Sequence, residues 1–308
     1  MKTQKTHLKS FLVVPSVKLP RFSTKLTEIF QDNNKIQMPD AVIIDLEDSV
    51  PPDQKETGRH LAHDFFHSPT FESINNACTW FIKVNDTLTD YITDDINLVK
   101  TFAHKGIGLA LPKVGQIDEV QTVVSKSGIE PHLCLPTIET LKGFEQRDIL
   151  LTNWSQLGVK QFVFGAGDMS YELDIERNYS LSVLNFIFVS LLISAKIHKV
   201  NFIDSPSRFI PSKDKACHAE VERECLDVFK NGGCGKIAIH PSQIAIINQI
   251  FHGTDYQHAA SLVNLFESNT ESRAHVDVLT GQYVGSPSYK QAKRTVATKQ
   301  EDQNIEHG

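Results

Sequence analysis

Two carboxylates, Glu139 in "LPTIET" and Asp168 in "FGAGD", each stand at the end of a short apolar run. If those runs are neighbouring strands, whose backbones lie roughly 5 Å apart, the two side chains can converge on one point. Two hard oxygen ligands with open positions suit Mg²⁺, which binds one or two carboxylates and keeps waters or substrate oxygens for the rest. The competing arrangement pairs Glu139 with Lys113 or Lys142 and uses Asp168 to cap the next helix. Beside Asp168, Gly165, Ala166 and Gly167 allow backbone N–H groups to turn toward a small anion such as a carboxylate. A further acidic group, Asp45, Glu47 and Asp48 in "AVIIDLEDSV", ends another apolar run, while Lys83, Asn85, Lys113, Asp204, His240 and Gln243 end or follow others.

These residues need a frame that gathers strand ends. Short apolar, β-branched runs fall at 11–15, 41–48, 80–85, 107–114, 132–139, 161–168, 200–207 and 236–243, most of them separated by segments of helix length with apolar residues at three- and four-residue spacing. Strands that are apolar throughout are buried on both faces, as in a parallel sheet covered by helices, and eight repeats match a (β/α)8 TIM barrel. An open doubly wound sheet is the alternative, but no GxGxxG follows the first strand. In a barrel the catalytic groups gather at the C-terminal strand ends, and here those ends form one polar mouth. The sequence divides into a flexible start at 1–8, a barrel at 9–250, a C-terminal extension at 251–297 serving as lid or oligomer contact, and a polar, disordered tail at 298–308.

Composition narrows the function. With 31 Lys and Arg against 37 Asp and Glu, the net charge of −6 and the lack of a long basic block argue against nucleic-acid binding. Five cysteines without a CxxC pair suggest neither a disulfide framework nor structural zinc, and fit a reducing cytoplasm. The start "MKTQKTHLKS" precedes an apolar run too short for a signal-peptide core, and "LSVLNFIFVSLLISA" falls short of the roughly 20 residues a membrane span needs.

The segments "LKSFLVVP", "DAVIIDLEDSVPPDQK", "FIKVN", "LPTIET", "FGAGDMS" and "KIAIHPSQ", in this order over residues 9–250, resemble the citrate lyase β-subunit-like branch of the HpcH/HpaI aldolase family. The tail "LTGQYVGSPSYKQAKRTVA" is similar to its C-terminal element. The resemblance implies a (β/α)8 barrel, assembled as a homotrimer or hexamer, that cleaves or forms a C–C bond in 3-hydroxy-acyl thioesters of coenzyme A or a carrier protein. It implies that Glu139 and Asp168 hold Mg²⁺, that Gly165, Ala166, Gly167 and Asp168 bind the carboxylate of an α-keto acid, and that an enolate of the thioester forms as the bond breaks. Lys83 stands where the family has arginine, as a cation for catalysis and substrate binding, and Glu47 and Asp48 line the same mouth while Asp45 braces the barrel. Lys18, Arg21 and Lys25 are candidates for the phosphates of coenzyme A.

Two departures bear on activity. Lys83 lacks the bidentate fork of arginine, and Gly285, ahead of Pro287, stands where many relatives carry an aspartate supplied to a neighbouring subunit. The alternatives are therefore an aldolase on free hydroxy-keto acids, or a divergent metal- or metabolite-binding scaffold. His240 reads as a buried, hydrogen-bonded residue rather than a general base.

Overall fold

The computed structural model describes residues 8–31, 34–177, 182–212, 214–253, 255–268, 275–276, 283–290, 292–293 and 296. Eight strands, β1 (Ser10–Pro15), β2 (Ala41–Asp45), β3 (Thr79–Lys83), β4 (Gly108–Leu111), β5 (Cys134–Ile138), β6 (Gln161–Phe164), β7 (Asn201–Asp204) and β8 (Gly235–Ala238), pair in parallel in chain order. The sheet closes where Phe11 of β1 lies beside Ile237 of β8. Around it run α1 (Leu19–Gln31), α2 (Lys55–His67), α3 (Pro69–Ile74), α4 (Ile92–Phe102), α5 (Glu119–Ser127), α6 (Leu141–Glu145), α7 (Arg147–Leu157), α8 (Ala166–Glu172), α9 (Ser182–His198), α10 (Lys215–Lys230) and α11 (Ile244–Asn248). This is the (β/α)8 architecture, and closure removes the open-sheet alternative.

The two-residue period of a strand explains why these segments are apolar throughout. Phe11, Ala41, Ile43, Phe81, Ala110, Leu135, Val163, Ile203 and Ile237 fill the interior, while their neighbours, such as Leu12, Val42, Trp80, Ile82, Leu109, Phe162 and Phe202, are buried on the other face. Gly108 is a packing requirement, because a Cβ there would sit 2.7 Å from the Phe81 ring. The N-terminal end is tied by Asp40, whose Oδ2 accepts the N–H groups of Lys9 and Ser10 at 2.8 and 3.2 Å. Leu8, expected in a flexible start, is buried at this end, and its carbonyl accepts the Gln161 side chain at 2.6 Å.

Several strands end earlier than their apolar runs. Pro112 cannot donate to a ladder, so β4 stops at Leu111. After β8, Gln243 Oε1 accepts the N–H groups of Ile239 and His240 at 2.9 and 3.3 Å, drawing the chain out of the sheet. Asp204 corrects a sequence expectation. Since Ile203 faces the interior, Asp204 faces outward, where its Oδ2 meets Lys236 Nζ at 2.5 Å with Glu224 of α10 3.5 Å from the same ammonium.

The chain forms two compact units, of which Leu8–Asn248 is the barrel. In the other, α12 (Asp255–Ser268) and a two-stranded antiparallel pair, β9 (His275–Val276) and β10 (Tyr283–Val284), precede a helical turn at 286–290 whose Tyr289 stacks on Phe266 at 4.8 Å. The expected tail at 298–308 and residues 1–7 lie outside the described residues. No helix among the described residues is long and apolar enough to cross a membrane.

Both Lys236 and Asp204 are fully buried, so removing one partner strands a charge. Lys236→Met is expected to lower unfolding free energy in urea by about 3–5 kcal/mol, and the double variant Lys236→Met/Asp204→Leu to recover most of that loss.

Candidate functional site

The C-terminal mouth is built on register. Asp45 ends β2 directly opposite Lys83 at the end of β3, and both face the interior, two residues above Ile43 and Phe81. Asp45 Oδ1 accepts the N–H of Glu47 at 2.9 Å, a turn that an aspartate makes readily with its own backbone two residues on. Leu46 N–H donates to the Lys83 carbonyl at 2.9 Å. Asp45 therefore shapes the loop.

That loop is held from below by the lysine that ends the "DAVIIDLEDSVPPDQK" segment, to which sequence reasoning gave no role. Lys55, the first residue of α2, is buried, and its ammonium donates to the carbonyls of Leu46 and Glu47, each at 2.8 Å, and to Asn85 Oδ1 at 2.6 Å. Asn85 in turn donates to Asp95 at 2.6 Å, and Asp95 is paired with Arg59 at 3.2 Å. Burial lowers the Lys55 pKa, against the opposing pull of Asp45 and Glu47. The only sequence signal was a lysine seven residues after an acidic turn, behind two prolines.

Fixed in this way, Glu47 points its carboxylate at two ammonium groups, Lys83 at 2.5 Å and Lys113 at 2.6 Å. Burial penalises its charge, yet the two lysines outweigh that penalty and hold Glu47 below the usual carboxylate range. Burial likewise opposes the Lys83 charge, but Glu139, Asp45 and Glu47 together raise its pKa above the ordinary lysine value. Asp48 stands at the rim, with its Oδ2 3.5 Å from Lys113, and burial followed by repulsion from Glu47 raises its pKa.

Glu139 follows β5 and is buried, its Oε1 accepting the Lys113 backbone N–H at 2.9 Å. Asp168 stands near enough for its carboxylate to act on that of Glu139. Burial first, and then repulsion from Asp168 and Glu47, push the Glu139 pKa up to about 8 against the pull of Lys83. Gly165 makes this possible, since a Cβ at that position would lie 2.4 Å from Glu139 Cβ.

The "FGAGD" segment is not a loop, because β6 ends at Phe164 and α8 begins at Ala166, placing Asp168 in a first turn. Two of the expected anion-binding amides are already used. Gly165 N–H donates to the Ile138 carbonyl at 3.0 Å, and Ala166 N–H to Ser205 Oγ at 2.6 Å. The N–H groups of Gly167 and Asp168 sit where a helix has no earlier carbonyl to offer.

The remaining candidates spread around the mouth. Lys18 closes a short turn after β1, and Arg21 and Lys25 follow on α1, all exposed. Lys25 is paired with Glu28 at 3.0 Å and lies about 10 Å further along the helix than Lys18. His240 is half-exposed rather than buried, and its Nδ1 lies 2.8 Å from Ser242 Oγ, capping the turn after β8. Gln243 ties that turn to the Ser207 and Phe209 carbonyls. Among the described residues no three His, Cys, Asp or Glu side chains form a metal-binding group, so a cation at Glu139 and Asp168 would take its other ligands from water or substrate.

Known proteins share this arrangement of chain. The (3S)-malyl-CoA thioesterase of Cereibacter sphaeroides is 25% identical over 261 residues, covering 84% of this chain and 86% of its own. A citrate lyase subunit beta-like protein of Deinococcus radiodurans is 26% identical over 266 residues, covering 83% and 87%. The structure of the CitE protein of Mycobacterium tuberculosis, in complex with magnesium, acetoacetate and coenzyme A, superposes with a TM-score of 0.68 over 96% of this chain and 98% of that one, at 19% identity. Residues 21–241 match the HpcH/HpaI aldolase/citrate lyase family, and with its eight-stranded barrel the chain belongs to that family.

Proposed function

We propose that the protein is a Mg²⁺-dependent carbon–carbon lyase or aldolase that cleaves or forms a 3-hydroxy-acyl thioester by way of an α-keto acid and an enolate. The observation that carries this reading is the placement of Glu139 and Asp168 at one mouth, near enough to act on each other, with Gly165 leaving room for the first and the Lys113 amide holding it at 2.9 Å. A buried carboxylate repelled by a half-buried one beside it is relieved by a proton or a cation, and their hard oxygens match Mg²⁺. The names of the relatives, which include a malyl-CoA thioesterase, and the magnesium, acetoacetate and coenzyme A of the CitE complex support the same ligand classes.

In this reading, bound Mg²⁺ supplies a Lewis acid for the keto-acid oxygen. Lys83 contributes a fixed positive charge, because its neighbours keep it protonated, and so it acts on charge developing at an oxygen rather than as an amine nucleophile. The N–H groups of Gly167 and Asp168 take the keto-acid carboxylate in place of Gly165 and Ala166. Glu47 and Asp48 orient the cations, Lys18 and Arg21 meet the phosphates of coenzyme A, and the C-terminal extension serves as a contact between copies of a cytoplasmic homo-oligomer. One observation favours a second reading, an aldolase on free hydroxy-keto acids: Lys25 is already neutralised by Glu28. Competition by an adenine nucleotide for ligand binding is expected in the first reading and absent in the second.

The direct test is calorimetric titration with Mg²⁺, alone and with oxaloacetate, pyruvate or glyoxylate. A keto acid is expected to bind only with metal, and Asp168→Asn to weaken the binding of both by more than about tenfold. A keto acid that binds equally well to Asp168→Asn, or without metal, would sink the proposal.

Acidity gives a second expectation. With its folded value near about 8 and an unfolded value of 4.5, Glu139 binds more protons in the metal-free folded state than in the unfolded one between those limits. Its contribution to stability is therefore lost as pH rises through that window. The Tm in chelator is expected to fall between about pH 5.5 and about pH 8.5, Mg²⁺ to remove the fall, and Mg²⁺ affinity to rise by up to about tenfold per pH unit until about pH 8.

Gly165→Ala drives a methyl group into Glu139. It is expected to cost about 1–3 kcal/mol in urea unfolding and to abolish Mg²⁺ binding in calorimetry.

A further inference from the structure

Lys113 follows Pro112 past β4 with a φ of 53°, a left-handed backbone that glycine adopts freely and a lysine does not. Its backbone N–H donates to Glu139 at 2.9 Å, while its ammonium reaches across to Glu47 at 2.6 Å and Asp48 at 3.5 Å. The amide contact needs no side chain, and a glycine would make it without strain. What a lysine adds over a glycine at this position therefore lies in its side chain.

Neutralising Glu47 is not a sufficient reason. Glu47 already has Lys83 at 2.5 Å and is paired without a second ammonium. The other partner of Lys113, Asp48, is a loose one at 3.5 Å, and the Asp48 side chain is 62% exposed. An ammonium carries three donors, of which Glu47 takes one, and the Lys113 side chain remains 27% exposed at the mouth. An accessible ammonium with one close and one loose partner, beside two carboxylates suited to Mg²⁺, is placed where it can meet an anion that arrives with the metal.

We propose that Lys113 contacts the substrate directly: on ligand entry its ammonium exchanges Asp48 for an anionic oxygen of the keto acid, while its left-handed backbone keeps the N–H on Glu139. This assignment rests on the Mg²⁺ and keto-acid reading above. It makes one residue the link between the two halves of the site, with the backbone serving the carboxylate pair and the side chain serving the ligand.

The test is calorimetry with Mg²⁺ and then oxaloacetate on the full chain, together with thermal unfolding, for Lys113→Gly, Lys113→Met and Lys113→Arg. Lys113→Gly is expected to keep or raise Tm, to bind Mg²⁺ as tightly as the parent or more tightly, and to lose at least about tenfold in oxaloacetate affinity. Lys113→Met is expected to lose the same affinity, and Lys113→Arg, which keeps the charge, to stay within about threefold of the parent. If the parent binds oxaloacetate with Mg²⁺ and Lys113→Gly binds it equally well, the contact does not exist. If Lys113→Gly instead loses Tm and Mg²⁺ binding together, the side chain is a brace for Glu47 and the assignment is wrong. A parent that binds no keto acid would overturn the functional reading and this inference with it, while leaving the Mg²⁺ titration to show whether the carboxylate pair holds metal.

Discussion

A single carboxylate, Glu47, accepts two ammonium groups, and the organisation of the mouth depends on it. Lys83 rises from the barrel interior, where an unpaired charge is costly, and without Glu47 it would face only the Asp45 and Glu139 fields. Lys113 comes from the next strand end, after β4. By joining them, Glu47 couples the loop after β2 to the ends of β3 and β4, and Lys113 carries the connection on to Glu139 after β5. Four consecutive strand ends thus meet through charge-assisted contacts, of which the Lys113 amide on Glu139 needs no side chain. The network of Lys55, Asn85, Asp95 and Arg59 holds the Glu47 backbone from the outside, so the carboxylate has a defined starting point.

The barrel was legible in the sequence because its strands are buried on both faces, and eight apolar runs at regular spacing leave few other architectures. Their ends were less legible. Pro112 and the Gln243 side chain terminate β4 and β8 before the apolar pattern does, and a side-chain cap from five residues beyond the strand has no signature in periodicity. The direction of Asp204 could have been read by parity, since it immediately follows the interior Ile203. Glu139 and Asp168 were visible as acids after neighbouring strands, and both stand at the mouth, near enough to act on each other. The part that Lys113 plays was not visible, because a positive φ at a lysine is imposed by its surroundings and not by its residue type. Lys55 escaped for a related reason: burial of a helix-initial lysine depends on which carbonyls the tertiary fold places above it.

The "FGAGD" turn combines both kinds of information. Its glycines suggested a loop that wraps an anion, but they do different work. Gly165 is demanded by Glu139, whereas a Cβ at Gly167 would meet nothing within 4 Å. The segment enters a helix at once, and Ser205 of the next strand end accepts the Ala166 N–H and donates to the Phe164 carbonyl at 2.5 Å. The orientation of α8, and with it Asp168, is therefore set by β7 as well as β6.

The closeness of Gly165 to Glu139 has a consequence for the cost of ordering the site. A glutamate in solution samples many rotamers, and fixing it costs roughly 1.5–2 kcal/mol of side-chain entropy. Here the flat backbone of Gly165 on one side and the Lys113 amide on the other leave Glu139 little rotational freedom before any ligand arrives. That entropy is spent when the chain folds, and what a ligand meets is a carboxylate already standing in one place.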